Sequence, residues 1–224
     1  MTHFMATTTK HEVTIKLSKD ITLQGILTIP ADAHIIVVFA HGSGSGRSSP
    51  RNQYVSQVLI DNQLATLLLD LLTPDEEAID DITREYRFNI PLLAERLIAI
   101  SKWLESLDTT KHLLVSYFGA STGAAAALIA AAKQGCKITA VVSRGGRPDL
   151  ASAVLHKVTA PTLLIVGGND FGVIELNQKA FDLLQSEKKL EIIPGATHLF
   201  EEPGTLEQAA QSAAAWFKEK INSI

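Results

Sequence analysis

Six short stretches of this chain are apolar almost from end to end: HIIVVFA (34–40), ATLLLDLL (65–72), KHLLVSYFG (111–119), KITAVVSRG (137–145), APTLLIVGG (160–168) and KLEIIPG (189–195). A strand wetted on one face alternates apolar with polar residues. One without alternation is covered on both faces, as strands of a parallel sheet between two helix layers are. Helical patterns fill the gaps. In NIPLLAERLIAISKWLESL, Leu93, Leu97, Ile100, Leu104 and Leu107 recur at spacings of four and three, which is one helical face. Asn89 is placed to cap this helix, with Pro91 in its first turn. Further helices are expected over STGAAAALIAAAKQG, ending at Gly135, over VIELNQKAFDLLQS and over TLEQAAQSAAAWFKEKI. Two earlier segments, HEVTIKLS and ITLQGILTIP, do alternate; SKD joins them, so they read as an antiparallel hairpin at one edge. The expectation is an α/β fold of about eight strands, mostly parallel, with helices on both faces. With no repeat, linker or break in composition, residues 1–224 are expected to form one domain without a large cap. The acidic segment TPDEEAIDDITREYRF (73–88) reads as a solvated loop with a helical turn, or as a short flap over a site.

One stretch joins strand to helix in a way that carries chemistry. In Gly119-Ala120-Ser121-Thr122-Gly123 a serine stands between two glycines, after an apolar strand and before an alanine-rich helix. This is the context of a nucleophile elbow, whose turn is so tight that side chains two residues either side would collide. The alanines let the helix pack closely beneath a sheet, and its N-terminus favours negative charge near the serine. A nucleophilic serine needs a base and an acid, here in the chain order Ser, acid, His. Downstream of Ser121 only His156 and His198 remain. His156 has no strand just before it; His198 lies in a loop just after the last one. Asp170 follows the preceding strand, where Gly167 and Gly168 let the chain turn out of the sheet. Asp149, which also follows a strand, is the rival acid, and Asp70, ending a strand that precedes the serine, reads first as structural and only then as a second rival. The carboxyl ends of parallel strands line one crevice, so Ser121, Asp170 and His198 are expected to meet there.

An oxyanion hole is the fourth requirement. His41-Gly42-Ser43-Gly44 follows strand 34–40, and its backbone can aim an N–H at the crevice beside that of Thr122. Ser43 is the first choice and Gly44 the second. The segments FAHGSGS, FGASTGA, PTLLIVGGND and IPGATHLFEEPG together resemble the α/β-hydrolases, and more narrowly the small, lidless proteins related to dienelactone hydrolase. The resemblance covers nearly the whole chain. It implies an eight-stranded α/β-hydrolase fold and a Ser/Asp/His hydrolase of esters or lactones that needs no cofactor. Dienelactone hydrolases proper use a cysteine nucleophile. With Ser121 at that position, the resemblance implies a carboxylesterase-like activity.

Other features narrow the function. The net charge is −4 and no Lys/Arg block appears, which argues against a nucleic-acid partner. No stretch is long and apolar enough to span a membrane, and the N-terminus does not read as a secretory signal, so a cytoplasmic monomer or homodimer is expected. No ligand spacing supports a metal site. The lone Cys136 reads as inert, and His41 as a packing residue of the oxyanion turn. His3, His11, His34 and His112 have no constellation around them, and Glu201 and Glu202 read as a solvated turn. Arg47 and Arg144, with Arg51 and Arg147, lie on segments at the same sheet edge; they either bind an anionic substrate group or pair with Asp70, Asp149 and the acidic segment. Two further readings stay open on the same residues: an acyltransferase using the same triad, and a non-catalytic binding protein on the hydrolase fold.

Overall fold

A computed structural model describes residues 8–221; His3 lies outside them. The elements follow the chain as β1 (Thr9–Lys16), β2 (Thr22–Ile29), β3 (Ile35–Ala40), α1 (Pro50–Asp61), β4 (Ala65–Leu69), α2 (Pro74–Thr83), α3 (Ile90–Ser106), β5 (Leu114–Ala120), α4 (Thr122–Gln134), β6 (Ile138–Arg144), β7 (Thr162–Gly167), α5 (Phe171–Leu183), β8 (Lys188–Ile193) and α6 (Thr205–Ile221), with a 3-10 helix at Pro148–Lys157 between β6 and β7. The strands form one eight-stranded sheet in the order β1-β2-β4-β3-β5-β6-β7-β8. β2 runs antiparallel to β1 and β4, and every other neighbouring pair is parallel. This is the mostly parallel α/β sheet expected from the apolar runs, with the hairpin at its edge, and the eight strands that the resemblance to the α/β-hydrolases implied.

The central strands split their side chains between two apolar layers. Ile36, Val38 and Ala40 of β3 join a cluster with Leu93, Leu97 and Ile100 of α3 and the alanines of α4. Ile35, Val37 and Phe39 join a cluster with Val55 and Leu59 of α1 and Ala210, Ala213 and Phe217 of α6. Burial on both faces is why these strands read as unbroken apolar runs.

Two elements depart from the sequence expectation. The acidic segment is not a loop with one turn. It holds the ten-residue α2, started by a capping box in which Thr73 Oγ1 accepts from the Glu76 N–H and Glu76 Oε2 accepts from the Thr73 N–H. Two of its carboxylates turn inward while Asp75, Glu77, Asp81 and Glu85 stay exposed: Arg96 of α3 grips Glu76, and the buried Asp80 accepts from the Tyr86 and Arg87 N–H groups (2.8 and 2.9 Å) and from Arg87 Nε. The second departure is α1, for which no helix was expected. Ser49 caps it and Pro50 opens it, but its buried face includes Asn52 and Ser56, and Ser56 Oγ bonds Thr66 Oγ1 of β4 at 2.8 Å.

The chain runs from β3 outward to β4 and returns to place β5 on the other side of β3. The crevice between the carboxyl ends of β3 and β5 is therefore a topological switch point, where open α/β sheets bind ligands.

Candidate active site

β5 delivers Ser121 into this crevice on a strained turn. Ser121 has φ 50° and ψ −124°, outside the regions an L-residue normally occupies. The glycines around it are required by contact. A Cβ on Gly119 would lie 2.4 Å from Ala124 Cα, and one on Gly123 would lie 2.1 Å from the Ala40 carbonyl oxygen. Behind the turn, Ala124 to Ala127, Ala130 and Ala131 are all buried, so α4 sits close under the sheet and against α3. The first N–H groups of α4, that of Thr122 among them, have no carbonyl one turn earlier to bond and face the serine end of the helix.

The loops after β7 and β8 are stitched to each other. Gly168 N–H donates to Ile193 O (2.8 Å), Asn169 N–H to Ala196 O (2.9 Å) and Asn169 Nδ2 to Gly195 O (3.0 Å). A Cβ on Gly167 would lie 2.4 Å from Ala196 O, so the close approach depends on glycine. The result puts Asp170 Oδ2 2.7 Å from His198 Nδ1. An ionised carboxylate can only accept, so Nδ1 carries the proton and Nε2 keeps a free lone pair. Glu202 is not merely solvated: it accepts from Thr197 Oγ1 (2.6 Å) and the Thr197 N–H (3.0 Å), and so fixes the turn that carries His198. The rival acids are engaged elsewhere, Asp149 in a bidentate pair with Arg147 (2.8 Å twice) and Asp70 with the Arg47 guanidinium and backbone N–H. Ser121 and His198 line one cavity of about 240 Å³ without a direct hydrogen bond between them. Such contacts are often long before substrate binds.

On the other wall stands the turn after β3. A Cβ on Gly42 would lie 3.1 Å from Ser121 Cβ, so the two turns nearly touch. Ser43 Oγ and Thr122 Oγ1 are hydrogen-bonded at 2.9 Å, which ties together the two segments whose backbone N–H groups are the expected oxyanion donors. His41, half-buried at the edge of the same turn, follows β3 directly. Its Nε2 accepts from the Leu71 N–H at 2.9 Å and its Nδ1 lies 3.0 Å from Gly42 O. Burial holds its pKa below the usual histidine value, which suits a neutral ring that locks the ends of β3 and β4 together.

The four arginines separate. Arg47 and Arg147 have carboxylate partners, as above. Arg51 bonds Glu201 at 3.2 Å. Arg144, the last residue of β6, is 7% exposed and lines the cavity with Ser121 and His198. Its Nε and Nη1 are buried without a hydrogen-bond partner. Its guanidinium lies 5.6 Å from the centre of the Phe200 ring, and Phe200 holds a positive φ of 58°. Burial, with Arg51 nearby, brings the Arg144 pKa down to about 10, which leaves it charged at neutral pH. Phe200 gave no signal in the sequence, because nothing there marks a left-handed phenylalanine.

A larger cavity of about 590 Å³ adjoins the first and shares Gly42, Ser43, Ser45, Ser49 and Arg51 with it. Glu77, Asp80, Asp81 and Arg87 of the acidic segment form part of its wall. Cys136 is exposed and stands apart from both cavities. Among the described residues no cluster of three His, Cys, Asp or Glu side chains could hold a metal ion, and no helix is long and apolar enough to cross a membrane.

Comparison with known proteins finds a match between residues 26–222 and the model of the dienelactone hydrolase family. The dienelactone hydrolase of Anabaena variabilis ATCC 29413 is 55% identical, with 95% of this chain and 98% of that one covered and a TM-score of 0.93. Est1E from Butyrivibrio proteoclasticus is 17% identical, with 94% and 99% covered and a TM-score of 0.79, a likeness of fold alone. A Mycobacterium tuberculosis H37Rv protein whose name proposes a phosphoribosyl transferase is 56% identical over 197 residues, which are 88% of this chain and 44% of that protein. The chain thus spans less than half the length of the curated relatives it matches.

Proposed function

The chain belongs to the dienelactone hydrolase family, and from that premise we propose that it is a serine hydrolase of small carboxylic esters or lactones, working as one catalytic domain through Ser121, His198 and Asp170. The observation that carries this reading is the 2.7 Å contact between His198 Nδ1 and Asp170, in a cavity that the same histidine shares with a serine on a strained strand-to-helix turn.

The chemistry follows from the positions. Ser121 Oγ attacks the acyl carbonyl as His198 Nε2 takes its proton. Asp170 holds the ring's tautomer and stabilises the imidazolium that forms. The carbonyl oxygen becomes an alkoxide, received by the backbone N–H groups of Ser43 and Thr122; losing one such donor costs about 2.7–4 kcal/mol of barrier. Collapse breaks the ester bond, and the leaving alkoxide takes the proton from His198. Water, deprotonated by the same nitrogen, then releases the acid and restores Ser121. No step calls for a cofactor. Phosphoribosyl transfer, suggested by the name of the mycobacterial relatives, is not carried over: their match covers 88% of this chain, hence most of the stretch that fits the hydrolase family, and more than half of their length lies outside it.

The test is labelling with a fluorophosphonate, followed by location of the adduct, together with Ser121→Ala. The adduct is expected on Ser121, and the variant should lose roughly 10⁴-fold or more in ester hydrolysis while remaining folded. A variant that keeps most of its activity, or an adduct elsewhere, refutes the mechanism.

A further inference from the structure

Two cavities meet at the oxyanion turn, and the chemistry at Ser121 occupies only one of them. The one that holds Ser121 and His198, about 240 Å³, is smaller than ordinary small-molecule sites, which run to about 300–1,000 Å³. A substrate has room to extend across the shared Gly42, Ser43 and Ser45 into the adjoining 590 Å³.

The strand order decides which end of an ester points there. β4 and β3 lie on one side of β5, and β6, β7 and β8 on the other. Asp170 and His198 follow β7 and β8, so the base comes to Ser121 from that second side. The larger cavity is lined only by segments that follow β3 and β4. In the tetrahedral intermediate the acyl carbon bears the oxyanion, the leaving oxygen and the acyl substituent besides Ser121 Oγ. Backbone N–H groups take the oxyanion, and the leaving oxygen must reach His198 Nε2 to gain its proton. The acyl substituent is the group left to point away from His198, toward the larger cavity.

That cavity suits hydroxyl groups better than alkyl chains. Apart from glycines, its apolar lining is Pro50, Leu72 and Leu93, with no Phe, Tyr or Trp. Its arginines are already answered: Arg47 by Asp70, Arg87 by Asp80 and Asp81, and Arg51 by Glu201. By contrast, among the described residues Ser45 Oγ, Ser48 Oγ and the Glu77 carboxylate on its wall have no protein partner. Together they can both donate to and accept from an alcohol.

We infer that the larger cavity is the acyl subsite and that the preferred substrates are esters or lactones of hydroxylated acids, whose hydroxyl meets Glu77, Ser45 and Ser48. This deepens the serine-hydrolase reading and rests on it. An alkyl acid of the same shape leaves those polar groups facing it without a partner.

The measurement compares kcat/KM for 4-nitrophenyl 3-hydroxybutyrate and 4-nitrophenyl 3-methylbutyrate, in which a hydroxyl replaces a methyl. Each value is divided by the hydroxide-catalysed rate of the same ester. Wild type should prefer the hydroxy ester by roughly 3- to 10-fold, the worth of about one net hydrogen bond. The ratio should fall toward one in Glu77→Leu/Ser48→Ala, both positions being exposed; Glu77→Leu alone carries the test if the double variant does not fold. No preference in wild type, or the same ratio in the variant, overturns the inference. A second pair, 3-hydroxybutyl acetate and 3-methylbutyl acetate, moves the hydroxyl to the alcohol, and its ratio should be the same in wild type and variant. If the preference and its loss appear in this pair instead, the cavity holds the leaving group and the acyl assignment is wrong. Failure of the hydrolase reading looks different. No acyl or phosphonate adduct then forms on Ser121, neither pair is turned over faster than in buffer, and the subsite falls with it. A normal adduct with a flat ratio overturns the subsite alone.

Discussion

Ser121 is held where an L-residue is strained, and that strain can be weighed. Its φ of 50° and ψ of −124° are the mirror image of an ordinary extended conformation, which glycine adopts in either hand. Ser121→Ala removes the proposed nucleophile but keeps Cβ, and so keeps the strain. Ser121→Gly removes both. A non-glycine residue in such a region costs about 1–3 kcal/mol. Against this, glycine loses about 0.4–1 kcal/mol through the greater freedom of the unfolded chain. Capping does not complicate the comparison, since Ser121 makes no side-chain cap hydrogen bond to α4. The balance makes Ser121→Gly more stable than Ser121→Ala by roughly 0.5–2 kcal/mol, or about 1–8 °C in Tm at a typical 2–4 °C per kcal/mol for a chain this size. Thermal and urea denaturation of the two variants measure it. If Ser121→Gly is no more stable than Ser121→Ala, the turn does not store the strain assigned to it.

Two further outcomes are expected. Asp170→Asn keeps the shape of the His198 contact but lets the ring take the wrong tautomer, so kcat should fall by about 10⁴ with little change in Tm; a loss under tenfold would move the acid's role elsewhere. His41 has a folded pKa below its ordinary 6.5, so the unfolded chain binds its proton more readily, and the stability this residue contributes is present above about pH 6.5 and lost as pH falls below it. The drop in Tm across that window should be shallower in His41→Gln, and identical slopes would refute the assignment.

How much of this was legible follows from what each residue touches. The central strands announced themselves because both faces are dry, as with Ile35 to Ala40, which divide between two cores. Helix α1 was not legible. Its buried face mixes Asn52 and Ser56 with Val55, Val58 and Leu59, and Ser56 finds its partner Thr66 on β4, so the apolar stripe is short and broken by polar residues. Helix α2 did carry a signal, Thr73-Pro74 with Glu76, but its acids read as wet when Glu76 and Asp80 in fact face Arg96 and Arg87. In the site, strand ends and glycines pointed to Ser121, Asp170 and His198 because backbone geometry constrains those positions. Pairing among the arginines had no such constraint. Which of four cations stays without a carboxylate depends on contacts such as Arg147 with Asp149, two residues apart, which leave Arg144 alone.

The alanines of α4 have a consequence in entropy. Alanine has no rotamers to lose, so seating this face under the sheet costs no side-chain freedom, whereas longer side chains give up as much as about 2 kcal/mol each. It also means that none of these alanines can change rotamer and pass that motion upward. Ala124 to Ala127 are all completely buried, and in a close-packed interior an added methylene has nowhere to go except by moving the backbone. The helix that follows Ser121 therefore has few internal states on its buried face, and it should hold its geometry until the sheet itself melts.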